Sequence, residues 1–319
     1  MPFGLTFRDT AFLRRVTPVT FTLDDFESYS AGGLDGLNGG VEWGGAFADR
    51  DGLSALNNDW VDRVLNAGGA MPSSTTLAAN DVFYAALVSA GIDTKIKVVN
   101  TIAPDNLIAA CTPLIYNSIG NASWTNNGPF TSGDLTVNGL LGNGTSKYLA
   151  TGFKPNNFMT NASAFFGAYV HTGDKSTGQN EIGAVDDGTH QMRLYYQFND
   201  NKTYYNGFNS TSVGAVISSG TLTGYVGVSK TATNRVDVYY ATSGSAHASN
   251  FNSTTTDTVT PPSSRNIVCF ATDEAGTVTN WTKKRVSGLF FGTALTGTES
   301  SNFYNAFQTL RTSYGGGYV

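Results

Sequence analysis

The residues best placed to do chemistry are four tyrosines. Tyr195, Tyr196, Tyr204 and Tyr205 flank one expected hairpin, whose turn reads Phe198-Asn199-Asp200-Asn201. Strand side chains alternate between faces, so one member of each adjacent pair must point outward. Outward tyrosines beside Asn199, Asp200 and Asn201 would form a sugar platform: flat ring faces with amide and carboxylate hydrogen bonds at their margin. The simpler account places the same rings in the core or at a subunit interface.

Acid–base and metal chemistry find less support. Glycoside hydrolysis needs two carboxyl groups held across the scissile bond. The glutamates are Glu27, Glu42, Glu181, Glu274 and Glu299, and no two share a strand-length segment. This spacing leads to the expectation that the chain is not an enzyme. His171, His190 and His247 lie in separate segments without metal-ligand spacing. Asp186, Asp187 and His190 sit in "AVDDGTH", where the aspartates could offer oxygens to Ca²⁺. A tight turn explains them without a metal, since neither an EF-hand pattern nor a second acidic cluster accompanies them. No cofactor is otherwise expected. Serine nucleophile elbows and phosphate loops are absent from the sequence.

These side chains need strands to carry them. "SAFFGAYVHT", "QMRLYYQFND", "KTYYNGF", "GYVGVSK", "NRVDVYYA", "RNIVCFAT" and "KRVSGLFFG" are β-branched or aromatic runs of strand length, bounded by Gly, Asn, Asp and Ser. Thr231-Ala232-Thr233-Asn234 reads as a hairpin turn. Helix is expected in two places. "SSTTLAANDVFYAALVSAG" puts Val82, Phe83, Ala86 and Leu87 on one face and continues into mixed pieces broken at Pro104 and Pro113. Near the C-terminus, Thr296 and Glu299 have capping-box spacing, and Phe303, Phe307, Leu310 and Tyr314 follow as one apolar stripe. That stripe must lie on a sheet, which makes this helix a brace for a β-sandwich.

Composition narrows the classes. Charged residues are 13% of 319, Gly numbers 37, and the net charge is −5 with a pI near 5.1. Nucleic-acid binding rests on clustered Lys and Arg, so it is not expected here. Lys283, Lys284 and Arg285 form one basic run, read as a solvated strand end. Cys111 and Cys269 are expected as buried free thiols in a reducing compartment. Arg14 and Arg15 interrupt any signal-peptide core, and no apolar run reaches membrane-spanning length. Residues 1–70 read as an arm followed by a Gly-rich anchoring segment, and 71–319 as a helical lead-in plus sandwich. Phe3, Phe7, Arg8, Phe12, Arg14 and Arg15 make the arm a partner-binding candidate.

The order of these pieces resembles a known family. "NDVFYAALVSAGIDTKIKVVNTIAPDNLIAA" leads to "GLLGNGTSKYLATGFKP", then "NRVDVYYA", then "LFFGTALTGTESSNFYNAFQTLRTSYG". Over about residues 75–316 this is similar to the concanavalin A-like (laminin-G-like) jelly-roll sandwiches of tailed-bacteriophage virion proteins. Gly142-Asn143-Gly144-Thr145 and the Leu295-Thr296 helix start carry most of the match. The resemblance implies a structural virion protein, either a tail fibre or adhesin docked by its N-terminal region or a capsid decoration or head-fibre protein. The alternative, from another class, is a carbohydrate-binding module that recognises host surface glycans. The β-glucanases of this fold carry a Glu-x-Asp-x-Glu strand that is missing here. Expected partners are other virion proteins, further copies of the chain in a homo-oligomer such as a trimer, and host glycans. The chain is expected to be made in the host cytoplasm and to reside in the virion.

Overall fold

The computed structural model describes residues 53–172, 178–195, 202–208, 213–216, 223–242, 248–254 and 259–316. The chain divides into two units, Met1–Gly52 and Leu53–Val319, and the described residues all belong to the second. The arm residues Phe3, Phe7, Arg8, Phe12, Arg14 and Arg15 lie outside the described residues.

The second unit is mainly β, with two sheets packed face to face and helices on one of them. Numbered in chain order, the first sheet runs β13 (Ala248–Thr254), β12 (Arg235–Thr242), β11 (Gly224–Ala232), β6 (Ala164–Thr172), β17 (Arg285–Gly292), β4 (Gly139–Leu141) and β3 (Leu135–Thr136). β1 (Ile96–Asn100) pairs with the far end of β17. The second sheet runs β10 (Val213–Val216), β9 (Lys202–Gly207), β8 (Gln191–Tyr195), β7 (Ile182–Val185), β14 (Val268–Cys269), β5 (Tyr148–Ala150) and β2 (Thr125–Asn127). A small hairpin, β15 (Thr272–Glu274) and β16 (Thr277–Thr279), joins it by parallel pairing of β15 with β7.

Period-2 alternation sorts the apolar residues into two cores. Phe166, Ala168, Val228, Val238 and Phe291 of the first sheet meet Ile182, Ala184, Met192, Leu194 and Tyr205 of the second. The opposite parity of the first sheet, including Phe165, Tyr169, Tyr225, Tyr239 and Phe290, faces the helices instead. Strands such as β6 are therefore buried on both faces, which is why "AFFGAYV" reads as a continuous apolar run.

Four α-helices are described: α1 (Ala55–Asn66), α2 (Ser74–Ser89), α3 (Leu107–Cys111) and α4 (Gly297–Ser313). α4 starts with the anticipated capping box, Thr296 with Glu299, and buries Phe303, Phe307, Leu310 and Tyr314. Phe290 meets Phe303 and Phe307 edge-on, with centroids at 4.8 and 4.7 Å. β17 is shaped for this contact. A Cβ on Gly288 would stand 2.3 Å from the Phe307 ring, so only glycine lets the ring settle there. Arg311 is also buried here and donates to the carbonyls of Thr101, Ile102 and Val137. Burial lowers its value to about 10, against the opposing influence of Tyr314 and Tyr169.

Four expectations change. Residues 55–66, assigned above to the N-terminal segment, form α1 of the sandwich unit, where Trp60, Val61 and Val64 are buried. "IKVVN", expected among helical or mixed pieces, is strand β1, because its β-branched residues complete the edge of β17. Val82 is 57% exposed, so the buried face of α2 runs through Leu77, Asn80, Phe83 and Leu87. Lys284 is no solvated strand end: it is 1% exposed and bonds Glu181, itself fully buried, at 3.0 Å. Cys111 and Cys269 are buried and free, and loss of solvation pushes Cys111 up to about 12.

Candidate functional site

The outer face of the second sheet has no helix packed on it among the described residues, and part of the tyrosine cluster lies there. β8 alternates between half-buried Gln191, Arg193 and Tyr195 and buried Met192 and Leu194. Met192 and Leu194 enter the inter-sheet core, so Arg193 and Tyr195 project from the opposite surface. In the antiparallel register Tyr195 stands opposite Tyr204 of β9, and Leu194 opposite Tyr205. Tyr195 and Tyr204, both half-buried, therefore sit side by side on the outer face. Gly214 of β10 pairs with Tyr204 on the other side. Tyr205 does not join them: it is fully buried in the inter-sheet core, which removes it from the sugar platform. Tyr196, Asn199, Asp200 and Asn201 lie outside the described residues.

The structure adds two residues to the tyrosine pair. Arg193 donates from Nη1 to the Tyr195 hydroxyl at 2.6 Å and from Nη2 to Glu274 Oε1 at 2.6 Å. Thr279 Oγ1 donates to the other carboxylate oxygen of Glu274 at 3.0 Å. Arg193 is 12% exposed and Glu274 41%, so the pair opens toward solvent on the carboxylate side. Burial acts to lower the Arg193 value, but the Tyr195 and Glu274 contacts together outweigh it and hold the charge. Burial likewise acts to raise Glu274, while its bond and attraction to Arg193, helped by Thr279, keep it below its ordinary value. The two charges fix each other and the Tyr195 hydroxyl in place. The parallel pairing of β15 with β7 brings Glu274 to this surface, 81 positions from Arg193 in the chain. Only the outward position of Arg193 could be anticipated from the alternation of "QMRLYY"; nothing local marks Glu274 as its partner.

The aspartates have other uses. Asp186 accepts the backbone N–H groups of Ser263, Ser264 and Arg265 at 2.7 to 3.1 Å, pinning a distant loop to the β7–β8 turn. Asp187 accepts the N–H groups of His190 and Thr189, the Thr189 hydroxyl and the His190 ring. The His190 N–H and the Thr189 hydroxyl and N–H, together with the His190 side chain, hold its carboxyl well below the usual range. Both carboxylates thus take part in building the turn. Among the described residues, no three His, Cys, Asp or Glu side chains are grouped to hold a metal ion. No helix among them is long and apolar enough to cross a membrane.

No family model matches the chain, and no curated protein does either. Solved structures are similar to it in fold. One is domain 4 of a GH43 extracellular arabinanase from Geobacillus stearothermophilus, in complex with arabinotriose. The identity is 13%, the match covers 66% of this chain and 98% of that one, and the TM-score is 0.44. A Trypanosoma rangeli sialidase is matched at 14% identity over 67% of this chain and 33% of its own, with a TM-score of 0.43. This chain thus spans about a third of that sialidase's length. The CBM40 module of a Ruminococcus gnavus IT-sialidase, bound to α2,3 sialyllactose, is matched at 15% identity over 43% and 78%, with a TM-score of 0.29. By name these are glycan-binding or glycan-cleaving proteins. They correct the expectation that the chain is not an enzyme. A missing paired-glutamate strand is in itself no ground for excluding hydrolysis, because two carboxyl groups can be brought together from distant segments of a chain.

Proposed function

We propose that this β-sandwich is a glycan-binding module whose outer sheet face receives the sugar chain. The observation that carries the reading is the side-by-side pair Tyr195 and Tyr204, with Arg193 and Glu274 locked beside it. Phenol rings offer flat apolar surface for the C–H face of a sugar at low conformational cost. The Glu274 carboxylate, partly exposed, accepts sugar hydroxyls at the margin of the rings. Because Arg193 already neutralises Glu274, the face carries little net field and suits hydroxyl-rich chains. A glycan array read with the wild-type chain and with Tyr204→Ala tests this. Binding that falls on substitution is the expected result. A wild-type chain that binds no glycan, or a variant that binds equally, overturns it. Reducing-end release from any bound oligosaccharide, followed in the same samples, reports hydrolysis.

At the finer level the module serves host attachment in a tailed-bacteriophage virion, as a tail fibre or adhesin rather than a capsid decoration, and works as a homo-oligomer. Support comes from the order of sequence motifs described above. Two of them have clear structural roles. Asn143 Oδ1 caps the N–H groups of Thr145, Ser146 and Lys147, and Thr296 starts α4. Electron cryomicroscopy of the particle would locate the chain. Its absence from purified virions would overturn this finer reading and leave glycan binding to be judged on the array.

A further inference from the structure

A second surface of the sandwich unit holds a pocket unrelated to the tyrosine pair. Its volume is about 540 Å³, and its walls include Tyr84, Asp93, Lys97, Asn117, Ile119 and Phe158. Pockets of this size take small organic ligands. Four separate pieces of chain converge on it: α2 with the turn after it, β1, the loop beyond Ile115, and the residue that ends the Pro155–Asn157 turn. Phe158 is backed by Phe153, with centroids 5.7 Å apart, and Ile119 packs against the inter-sheet core. Tyr84 rests on the helix-side core. The apolar walls are therefore anchored in both cores.

The polar groups are spaced among those walls. Lys97 Nζ donates once, to the Thr94 carbonyl at 2.6 Å, and retains two further N–H donors. Asn117 donates its amide to the Lys97 carbonyl at 2.9 Å, which holds the side chain beside the pocket and leaves its oxygen as an acceptor. Among the described residues, neither the Asp93 carboxylate nor the Tyr84 hydroxyl has a hydrogen-bonding partner. The pocket thus presents one anionic acceptor, one cationic donor, an amide and a phenol around aromatic and aliphatic walls.

We propose that this pocket binds a single neutral sugar ring. A sugar's C–H face matches the Phe158 and Tyr84 rings, and neighbouring hydroxyls can donate to Asp93 while accepting from Lys97. Opposite charges in one small site disfavour an anionic sugar, which would meet Asp93, and a cationic one, which would meet Lys97. The site is independent of the outer-face reading, so each can fail alone. The test is saturation-transfer NMR on the full chain with the methyl glycosides of glucose, galactose and mannose, and with glucuronate and glycine as anionic and zwitterionic probes. Concentrations reach about 50 mM, where even a millimolar site is filled. At least one neutral glycoside is expected to bind. Measured in the Tyr204→Ala background, which removes the outer-face contribution, Phe158→Ala should weaken it about tenfold and Asp93→Asn several-fold. Asp93→Asn and Lys97→Met alter partly exposed side chains, so they remain informative if Phe158→Ala fails to fold. The proposal is overturned if no glycoside binds, if glucuronate or glycine binds as well or better, or if binding survives Asp93→Asn and Lys97→Met unchanged.

Discussion

The two outer faces of this sandwich are treated in opposite ways. On the first sheet, Phe165, Tyr169, Tyr225 and Phe290 are roofed by α4, with ring contacts from 4.7 to 6.3 Å, and Phe83 of α2 packs on the same α4 rings. On the second, the outward positions of β8 and β9 hold the half-buried Arg193, Tyr195 and Tyr204 and the fully buried Asn206, with Glu274 brought in from β15. Both faces are rich in tyrosine, yet one is a core and the other a surface. Aromatic content alone does not separate packing from recognition. The separator is the company each ring keeps: phenylalanines and a helix in one case, a fixed ion pair in the other.

Breaking the roof should have the largest effect. Phe307→Ala should destabilise the fold by about 3–5 kcal/mol, read as a shift in the urea midpoint. A loss below about 1 kcal/mol would show that α4 is not a structural lid. Gly288→Ala comes next. Its new Cβ would press on the Phe307 ring at 2.3 Å, and overpacking of this kind costs about 1–3 kcal/mol. Thr296→Ala removes the capping hydroxyl and should cost about 1 kcal/mol in the same assay. On the outer face of the second sheet, Tyr204→Ala should leave stability within about 1 kcal/mol of wild type. It should also lower glycan binding by about tenfold, read by calorimetry with an array hit. A large stability loss there would move Tyr204 into the structural class and break the comparison.

Acid sharpens the contrast. Glu299 lies below its ordinary 4.5 because the Lys95 bond and the Thr296 N–H and hydroxyl together outweigh the opposing effect of burial. A carboxylate depressed in the folded state adds stability that is fully present above 4.5 and disappears as pH falls through the folded value. Glu299 bonds Lys95 at 2.6 Å and caps α4, so acid should loosen the roofed side. Urea titrations from about pH 6 to about pH 3 should show this slope in wild type and a shallower one in Glu299→Gln. Glu274, depressed by Arg193 in the same sense, makes the outer face acid-sensitive as well. There the readout is glycan binding.

Much of this architecture is legible in the residues. Strands β6, β8, β11, β12 and β17 follow from aromatic and β-branched runs, and α4 from its capping box and apolar stripe. β1 is hidden because "IKVVN" comes directly after a helix and is too short for periodicity to classify. α1 carries a readable signal in Trp60, Val61 and Val64 behind a Ser54 cap, but its polar remainder masks it. Alternation requires that one of Tyr204 and Tyr205 face outward. Which one depends on the register with β8, which no single strand reveals. Partners far apart in the chain are the least legible. Glu181 and Lys284 are 103 positions apart, and a basic run gives no hint that one of its members is buried.

The attachment of α4 also dictates an order of events during folding. Arg311 joins carbonyls 174 to 210 positions earlier, and the Tyr314 hydroxyl reaches Asn80 across 234 positions. Every ring that α4 covers precedes it in the chain. Until α4 has been synthesised, a nascent sandwich displays Phe165, Tyr225 and Phe290 to solvent as an adhesive aromatic surface. Closing such distant loops incurs the entropy cost before any contact repays it, so the last step is slow as well as late. The half-made chain is thus the species most at risk of aggregation, and the ribosome-bound interval is where a chaperone would act on it.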